Sequence, residues 1–220
     1  MELQHLFKKV SDIILGFIYP AHCALCGKII MSCGTVAICD KCNGTMPVCK
    51  VVRDDRFCFD EAIGVLKYEK AVKDAMLKYK FKSVRYYAGA YAHVMDKATG
   101  DRPYLRESLM CCVPVSKSRN RDYSQTEVAA RELSELWGAE FVPDLLQRTK
   151  PVAQLSKMKL TERKFYIHGS IDVNPCYDIY GRDVLVIDDI YTSGTTANEC
   201  ARILKIYGAE RVFVLCPCYD

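Results

Sequence analysis

A pair of neighbouring carboxylates followed by a hydroxyl-rich loop is the part of the sequence best suited to chemistry. Asp188 and Asp189 come directly after the apolar run Val184–Ile187, which is typical of a strand buried on both faces of a parallel sheet. Open sheets of this kind bind ligands in the loops beyond the carboxyl ends of their strands. The loop after the acid pair contains Thr192, Ser193, Gly194, Thr195 and Thr196.

This loop has the composition of a phosphate site, and the acid pair has that of a sugar or magnesium site. Small side chains allow an anion to approach backbone N–H groups and the N-terminus of a following helix. Carboxylates repel a phosphate, but they accept hydrogen bonds from sugar hydroxyls or bind a Mg²⁺ ion that bridges to phosphate. A ribose 5-phosphate is the simplest ligand that offers both ends. The alternative is an acidic turn followed by an ordinary helix cap.

A helix and a further strand are predicted after this loop. Thr196 and Glu199 have the spacing of a capping box, and the apolar residues that follow recur on one helical face. Gly208 suits the end of this helix, and Arg211–Cys218 has the composition of another buried strand. A strand–loop–helix–strand unit of this kind implies a right-handed parallel crossover.

A second strand-to-helix loop is basic. The apolar run Leu109–Val115 predicts a buried strand, and Ser124–Glu127 has the capping-box pattern that opens a helix. Cations neutralise a diphosphate, so this loop complements the acidic one if the ligand is 5-phosphoribosyl 1-diphosphate (PRPP). The alternative is an exposed basic turn. The residues that we assign to diphosphate binding are Ser116, Lys117, Arg119 and Arg121.

Two CxxC pairs near the N-terminus predict a metal site. Cys23 and Cys26 form the first pair, and Cys39 and Cys42 form the second, with twelve residues between the pairs. Four thiolates at this spacing match a tetrahedral Zn²⁺ site of the structural type, because four protein ligands leave no position open for water. The cysteines that fall outside this pattern, Cys33, Cys49 and Cys58, are interpreted as structural thiols.

Composition places the chain in a broad class. With 220 residues, half of them hydrophobic, the chain is long enough for one α/β domain and a small accessory module. Its net charge of +4 is too small to indicate nucleic-acid binding by itself. No secretory signal and no apolar run of about 20 residues is found. Thirteen cysteines without a secretory signal favour metal binding in a reducing cytoplasm over disulfides.

Three further segments are interpreted from their patterns. Spacing predicts an amphipathic helix over residues 1–18, docked on its own domain or on a second copy of the chain, with attachment to a membrane surface as the alternative. Lys78–Lys82 alternates basic and aromatic residues, which suits a solvated helix end near an anionic substrate or a contact for single-stranded DNA. Residues 147–162 are polar and are typical of a lid.

The order of these parts resembles the ComF family, also described as competence protein F or amidophosphoribosyltransferase-like proteins. The run from Asp188 to Thr196 matches the ribose-phosphate signature of type I phosphoribosyltransferases, with Tyr191 where an aliphatic residue is usual. Further family elements correspond to Ile18–Cys26, Val113–Val115, Arg121–Gln125, Leu146–Arg148, Gln154–Leu155 and Glu162–Arg163. Departures from the family pattern are Asp122 for Gly, Ser124 for Asn and Tyr166 for Asn.

The resemblance implies an α/β fold with a mostly parallel sheet of the type I phosphoribosyltransferase kind and an N-terminal zinc ribbon. It divides the chain into residues 1–18, a ribbon over 19–58 with a degenerate second half, and a phosphoribosyltransferase-like domain over 59–220. It implies binding of Mg²⁺·PRPP, with Asp188 and Asp189 as catalytic residues, and a role in DNA uptake during natural transformation. A non-catalytic nucleotide- or single-stranded-DNA-associated competence factor is the alternative. The acceptor, further competence partners and a homo-oligomer stay open.

Overall fold

The computed structural model describes residues 21–30, 36–45, 48–81, 87–114, 124–149 and 167–220. The helix predicted over residues 1–18, the basic loop with its four diphosphate residues, and most of the predicted lid lie outside this part of the chain. The described strands are β1 (Ala21–His22), β2 (Ile29–Ile30), β3 (Lys50–Val52), β4 (Glu61–Lys67), β5 (Leu109–Cys112), β6 (Leu146–Arg148), β7 (Ile171–Val173), β8 (Val184–Ile187), β9 (Ile190–Tyr191) and β10 (Val212–Tyr219). The described helices are α1 (Asp40–Asn43), α2 (Lys70–Phe81), α3 (Tyr87–Ala98), α4 (Pro103–Glu107), α5 (Gln125–Trp137) and α6 (Thr195–Ile206).

A mostly parallel sheet forms the centre of the protein. Its strands follow the order β3-β4-β10-β8-β5, and β9 pairs with the end of β10. Strands β4, β10, β8 and β5 are parallel, whereas β3 is antiparallel to β4 at one edge. Because parallel strands end at the same edge of the sheet, Asp188 at the end of β8 lies between the ends of β5 and β10. The predicted α/β fold with a mostly parallel sheet is confirmed.

The central strands are buried on both faces, as their continuous apolar runs predict. In β8, Leu185 and Ile187 pack into a core that includes α3 and α5, whereas Val184 and Val186 pack into a second core that includes α6. All four side chains are buried. Successive strand residues point to opposite faces, so an apolar run without alternation requires cover on both sides. Among the described helices, none is long and apolar enough to cross a membrane.

Helix α5 begins and ends where local sequence signals place it. The Ser124 hydroxyl accepts a hydrogen bond from the Glu127 backbone N–H at 3.2 Å, which is half of the predicted capping box. Gly138 ends the helix in a left-handed conformation, with φ of 65°. The helix therefore starts just after the basic loop and returns the chain to the opposite edge of the sheet, where the Met110 N–H donates to the Glu140 carbonyl oxygen at 2.9 Å.

A small cysteine-rich module packs against the body of the protein. Strands β1 and β2 pair antiparallel, and the short helix α1 carries Cys42. Leu25 of this module packs with the core on the α3 face, and the Asn43 Oδ1 atom accepts a hydrogen bond from His93 Nε2 at 2.8 Å. Lys97 of α3 also donates to the Asn43 carbonyl oxygen. The module is thus fixed to α3 by apolar and polar contacts.

A separate two-stranded ribbon stands at the same end of the sheet as Asp188. Strands β6 and β7 pair antiparallel, with Arg148 opposite Ile171. The residues between these strands include most of the predicted lid, and only its first residues, up to 149, are described. Arg148 is the last residue of β6, and its side chain reaches the end of β5, as the hydrogen bonds of the site show below.

Candidate functional site

The structure places the acid pair and the hydroxyl-rich loop at the carboxyl edge of the central sheet. Asp188 and Asp189 follow β8 and are half-buried. The Asp189 backbone N–H donates a hydrogen bond to the Asp188 Oδ1 atom at 2.8 Å, which holds the first carboxylate close to the main chain. The short strand β9 then pairs with β10, so that the loop after it departs on the β10 side of the acid pair.

The loop has the sharp turn that a close phosphate approach requires. Gly194 is buried and left-handed, with φ of 72°, which favours glycine. A Cβ atom at this position would lie 2.8 Å from the Tyr191 hydroxyl oxygen and 3.3 Å from Cε1 of Phe57. The hydroxyls of Ser193 and Thr195 lie 2.9 Å apart and share a hydrogen bond. The turn is therefore packed from behind and lined by hydroxyls.

Helix α6 begins at the loop without a side-chain cap. Gly194 occupies the N-cap position, and no side chain accepts a hydrogen bond from the first turn there. The first backbone N–H groups of a helix have no partner within the helix, and they favour an anion. The predicted capping box at Thr196 and Glu199 is wrong, because the Glu199 carboxylate accepts a hydrogen bond from the Gly169 N–H at 2.7 Å instead.

Glu199 joins α6 to the turn that precedes β7. Its side chain is 6% exposed and lies 2.7 Å from an Nη2 atom of Arg202, with His168 at 3.4 Å. Burial acts to raise the pKa of Glu199, but the hydrogen bonds from Arg202 and Gly169 outweigh it and hold that pKa below its usual range. The carboxylate therefore stays ionised and keeps the helix tied to this turn.

Residues far away in sequence support the loop. Phe57 and Phe59 stack with ring centroids 4.7 Å apart, and Phe59 meets Tyr191 edge-on at 6.3 Å. The Cys58 backbone N–H donates to the Asn198 Oδ1 atom at 2.6 Å, which connects this segment to α6. Phe57 and Phe59 carry no local sequence signal for this supporting role, because up to 140 residues separate their segment from α6.

A cation lies on the other side of the acid pair. The Arg148 Nε–H donates to the Pro114 carbonyl oxygen at 2.9 Å, and Nη1–H donates to Ser170 Oγ at 3.3 Å. Pro114 follows β5 closely, and the basic loop begins two residues later. The predicted diphosphate residues, Ser116, Lys117, Arg119 and Arg121, lie outside the described residues, so their assignment stays a prediction. Arg148 is the cation that the structure places at this edge of the sheet.

The four cysteines predicted to bind metal come together in the cysteine-rich module. The sulfur atoms of Cys23, Cys26, Cys39 and Cys42 all lie within 4.8 Å of one another. Cys26 and Cys39 have their sulfurs 3.7 Å apart, close to the ~3.8 Å edge of a tetrahedron with Zn–S bonds of about 2.3 Å. The backbone N–H groups of Leu25 and Cys39 both donate to the Cys23 sulfur at 3.4 Å. The cluster is compatible with a structural zinc ion.

Local electrostatics favour the thiolate form at one member of this cluster. Cys39 is the N-cap residue of α1, and the hydrogen bond from the Cys42 backbone N–H is the main cause that lowers the pKa of Cys39 to about 7. Burial raises the pKa values of Cys26 and Cys42 instead, so binding of a zinc ion would have to displace their protons. The residues present therefore fit the metal in number, in chemistry and in spacing.

Comparison with known proteins shows similarity to a competence protein over most of the chain. The chain is 26% identical to competence protein ComFC of Streptococcus pneumoniae over 226 aligned positions, which cover 86% of this chain and 96% of that protein. It is 26% identical to DNA utilization protein YhgH of Escherichia coli K12 over 48% of this chain and 47% of that protein. The similarity to the ComF family that the sequence motifs predict is confirmed.

Proteins of phosphoribosyl metabolism show shorter similarities. The chain is 33% identical to ribose-phosphate pyrophosphokinase of Pyrococcus furiosus over 82 residues, which cover 35% of this chain and 29% of that enzyme. A solved structure of phosphoribosylpyrophosphate synthetase from Mycobacterium smegmatis superposes with a TM-score of 0.39 and 13% identity, over 58% of this chain and 33% of that one. No family model matches the chain.

Proposed function

We propose that this chain, a ComF-family protein of the phosphoribosyltransferase-like type, binds Mg²⁺·PRPP or a related ribose 5-phosphate at the carboxyl edge of its sheet. The observation that carries the proposal is the position of the uncapped N-terminus of α6. It follows a buried left-handed Gly194 and lies directly beyond the acid pair. A phosphate on the backbone N–H groups would place its ribose next to those carboxylates.

Each end of the ligand has a chemically suitable partner. Thr192, Ser193, Gly194, Thr195 and Thr196 would hold the 5-phosphate through hydroxyl and backbone donors. Asp188 and Asp189 would accept hydrogen bonds from the ribose hydroxyls, directly or as ligands of Mg²⁺, which prefers carboxylate oxygens and retains several waters. The magnesium ion would neutralise charge on the ligand phosphates. The four residues assigned to the basic loop would bind the diphosphate.

Transfer of the phosphoribosyl group is the reaction that such a site would support. The bond between the ribose C1 atom and the diphosphate oxygen breaks, and the diphosphate leaves with the electron pair. A lone pair of the acceptor forms the new bond to C1, and the acceptor's proton passes to a carboxylate of the acid pair or to water. Positive charge develops on the sugar during this step, and Asp188 and Asp189 stabilise it. The acceptor is the open part of the proposal.

The remaining assignments follow the same interpretation. The four clustered cysteines bind one structural Zn²⁺ ion, and residues 1–18, 19–58 and 59–220 form an amphipathic helix, the zinc ribbon and the phosphoribosyltransferase-like domain. A competence protein and a DNA utilization protein among the relatives favour a cytoplasmic role in DNA uptake. Competence proteins and a second copy of the chain are the protein partners that we propose.

Calorimetry with Mg²⁺·PRPP tests the proposed site. We expect binding that requires Mg²⁺ and that weakens by about 10-fold to 100-fold in Asp188→Asn, because hydrogen bonds to charged groups contribute about 1.5–3 kcal/mol each. Asp74→Asn, an exposed carboxylate on α2, is the matched control and should bind as the wild type does. Equal affinity in the wild type and in Asp188→Asn would contradict the assignment.

A second function deserves a direct comparison because the relatives include a DNA utilization protein. In that case the chain is a non-catalytic factor that associates with nucleotides or single-stranded DNA. Absence of PRPP binding, together with binding of single-stranded DNA that weakens steeply with salt, would favour it. If PRPP does bind, release of diphosphate in the presence of candidate bases and amines separates an enzyme from a sensor.

A further inference from the structure

We infer that Arg148 is a further ligand-binding residue of the proposed site, and that it binds the diphosphate end of PRPP. The inference rests on the proposed function. Arg148 ends β6, and its guanidinium reaches across to the end of β5. The residue comes from the two-stranded ribbon of β6 and β7. It would supply a fixed cation beside the acid pair.

Two hydrogen bonds determine where the guanidinium lies. Nε–H donates to the Pro114 carbonyl oxygen at 2.9 Å, and Nη1–H donates to Ser170 Oγ at 3.3 Å. Strands β5 and β8 end side by side, since the Val113 N–H donates to the Ile187 carbonyl oxygen at 3.0 Å. Asp188 is the next residue along the chain after Ile187. The guanidinium is therefore held at the edge from which the acid pair departs.

Arg148 forms no direct ion pair within the described part of the chain. Nine arginines lie in that part, and eight of them have a carboxylate oxygen within 4.0 Å. Arg148 is the exception: it has no such partner among the described residues, and its Nη2 atom makes no hydrogen bond to them. The Asp188 carboxylate acts on Arg148 only from beyond ion-pair distance, so an anion in direct contact would stabilise this half-buried guanidinium.

Burial affects the acid–base properties of this side chain in the expected direction. Desolvation lowers the pKa of Arg148 below its usual range, although the nearby Asp188 carboxylate acts in the opposite direction. A guanidinium remains charged at any physiological pH even so. The side chain is therefore a permanent cation in a partly desolvated position, which strengthens its attraction for an anionic ligand.

The position of Arg148 favours the diphosphate over the 5-phosphate. The hydroxyl-rich loop departs beyond β9, which pairs with β10, whereas Pro114 follows β5. Strand β8 and its acid pair lie between these two strands. A ligand with its ribose at the acid pair would thus extend one phosphorylated end towards α6 and the other towards Arg148. PRPP has this arrangement, and ribose 5-phosphate lacks the second end.

Calorimetry with two ligands separates this role from a structural one. In Arg148→Gln we expect the affinity for Mg²⁺·PRPP to fall by about 10-fold or more, while the affinity for ribose 5-phosphate changes by less than about 3-fold. Arg148→Lys should give an intermediate loss for PRPP, because it keeps the charge but loses the planar donor geometry. Arg182→Gln, an arginine paired with Glu140 at the surface, is the control and should match the wild type.

The outcomes are distinguishable from failure of the proposed function. A wild-type protein that binds neither ligand overturns both proposals. A wild type that binds PRPP, with Arg148→Gln equally tight, overturns this inference alone. An equal loss for both ligands, with a lowered melting temperature, would show that Arg148 only connects Pro114 to Ser170, and this also overturns the inference. If Arg148→Gln does not fold, the PRPP affinity of Arg148→Lys still tests the inference.

Discussion

At the scale of single residues, Gly194 combines tight packing with a place in the proposed phosphate site. A Gly194→Ala change would add a Cβ atom 2.8 Å from the Tyr191 hydroxyl oxygen, at a position with φ of 72°. We expect unfolding free energy to fall by about 2–4 kcal/mol, from backbone strain and overpacking together. Ribose 5-phosphate should bind more weakly as the loop shifts. Urea unfolding and calorimetry measure the two effects.

Gly138→Ala provides a matched control for this prediction. Gly138 has φ of 65°, almost the same backbone conformation, but a Cβ atom there would meet nothing within 4 Å. It ends α5, away from the loop. We expect a loss of only about 1–2 kcal/mol, from strain alone, and unchanged ligand affinity. If both variants lost the same stability and both bound ribose 5-phosphate normally, Gly194 would have no special role in the site.

Single residues also show what sequence can and cannot reveal about the site. The run from Val184 to Gly194 is contiguous, so its strand, acid pair and turn were predictable from local pattern. The contribution of Phe57 and Arg148 was not, because each reaches the site through tertiary packing from a distant segment. Arg148 carried one signal, its place in a family motif, but that motif gave it no role.

At the scale of elements, α6 differs from its prediction because it begins at Thr195 with Gly194 as its N-cap, which places Thr196 inside the helix. Ser124 and Thr196 both precede an acidic residue by three positions, and only Ser124 caps its helix. Glu199 is instead held by Gly169 and Arg202, so a tertiary contact replaces the local one. The result leaves the first turn of α6 without a side-chain cap, which is what a phosphate site requires.

Replacing Glu199 should destabilise the packing of α6 against the turn before β7. In Glu199→Ala we expect a loss of about 2–3 kcal/mol, because the Gly169 N–H loses its acceptor and Arg202 loses its counter-ion. Glu199→Gln retains an acceptor and should lose about 1 kcal/mol. Urea unfolding measures both, with Glu132→Ala on the exposed face of α5 as the control. A larger loss in the Gln variant than in the Ala variant would contradict this account.

At the scale of the whole molecule, the cysteine-rich module and the sheet are one packed unit. Leu25 and Ile38 of the module belong to the same core as α3 residues, and a cavity of about 190 Å³ lies between the two parts. The paired CxxC spacing predicted the cluster of four sulfurs, since these ligands are local to two short turns. It did not predict the docking on α3, because the contact joins segments about 50 residues apart.

Removal of the metal should therefore lower the stability of the whole protein and not only that of the cysteine-rich module. The proposed zinc ion would hold a segment with few buried side chains of its own, and without it Leu25 and Ile38 would leave the core against α3. We expect one zinc per chain by elemental analysis, and a lower melting temperature after chelation. Cys42→Ser should lose the metal and show the same decrease, whereas Cys176→Ser, at an exposed cysteine, should retain both metal and stability. Two zinc ions per chain, or a Cys42→Ser variant as stable as the wild type, would contradict a single structural site coupled to the core.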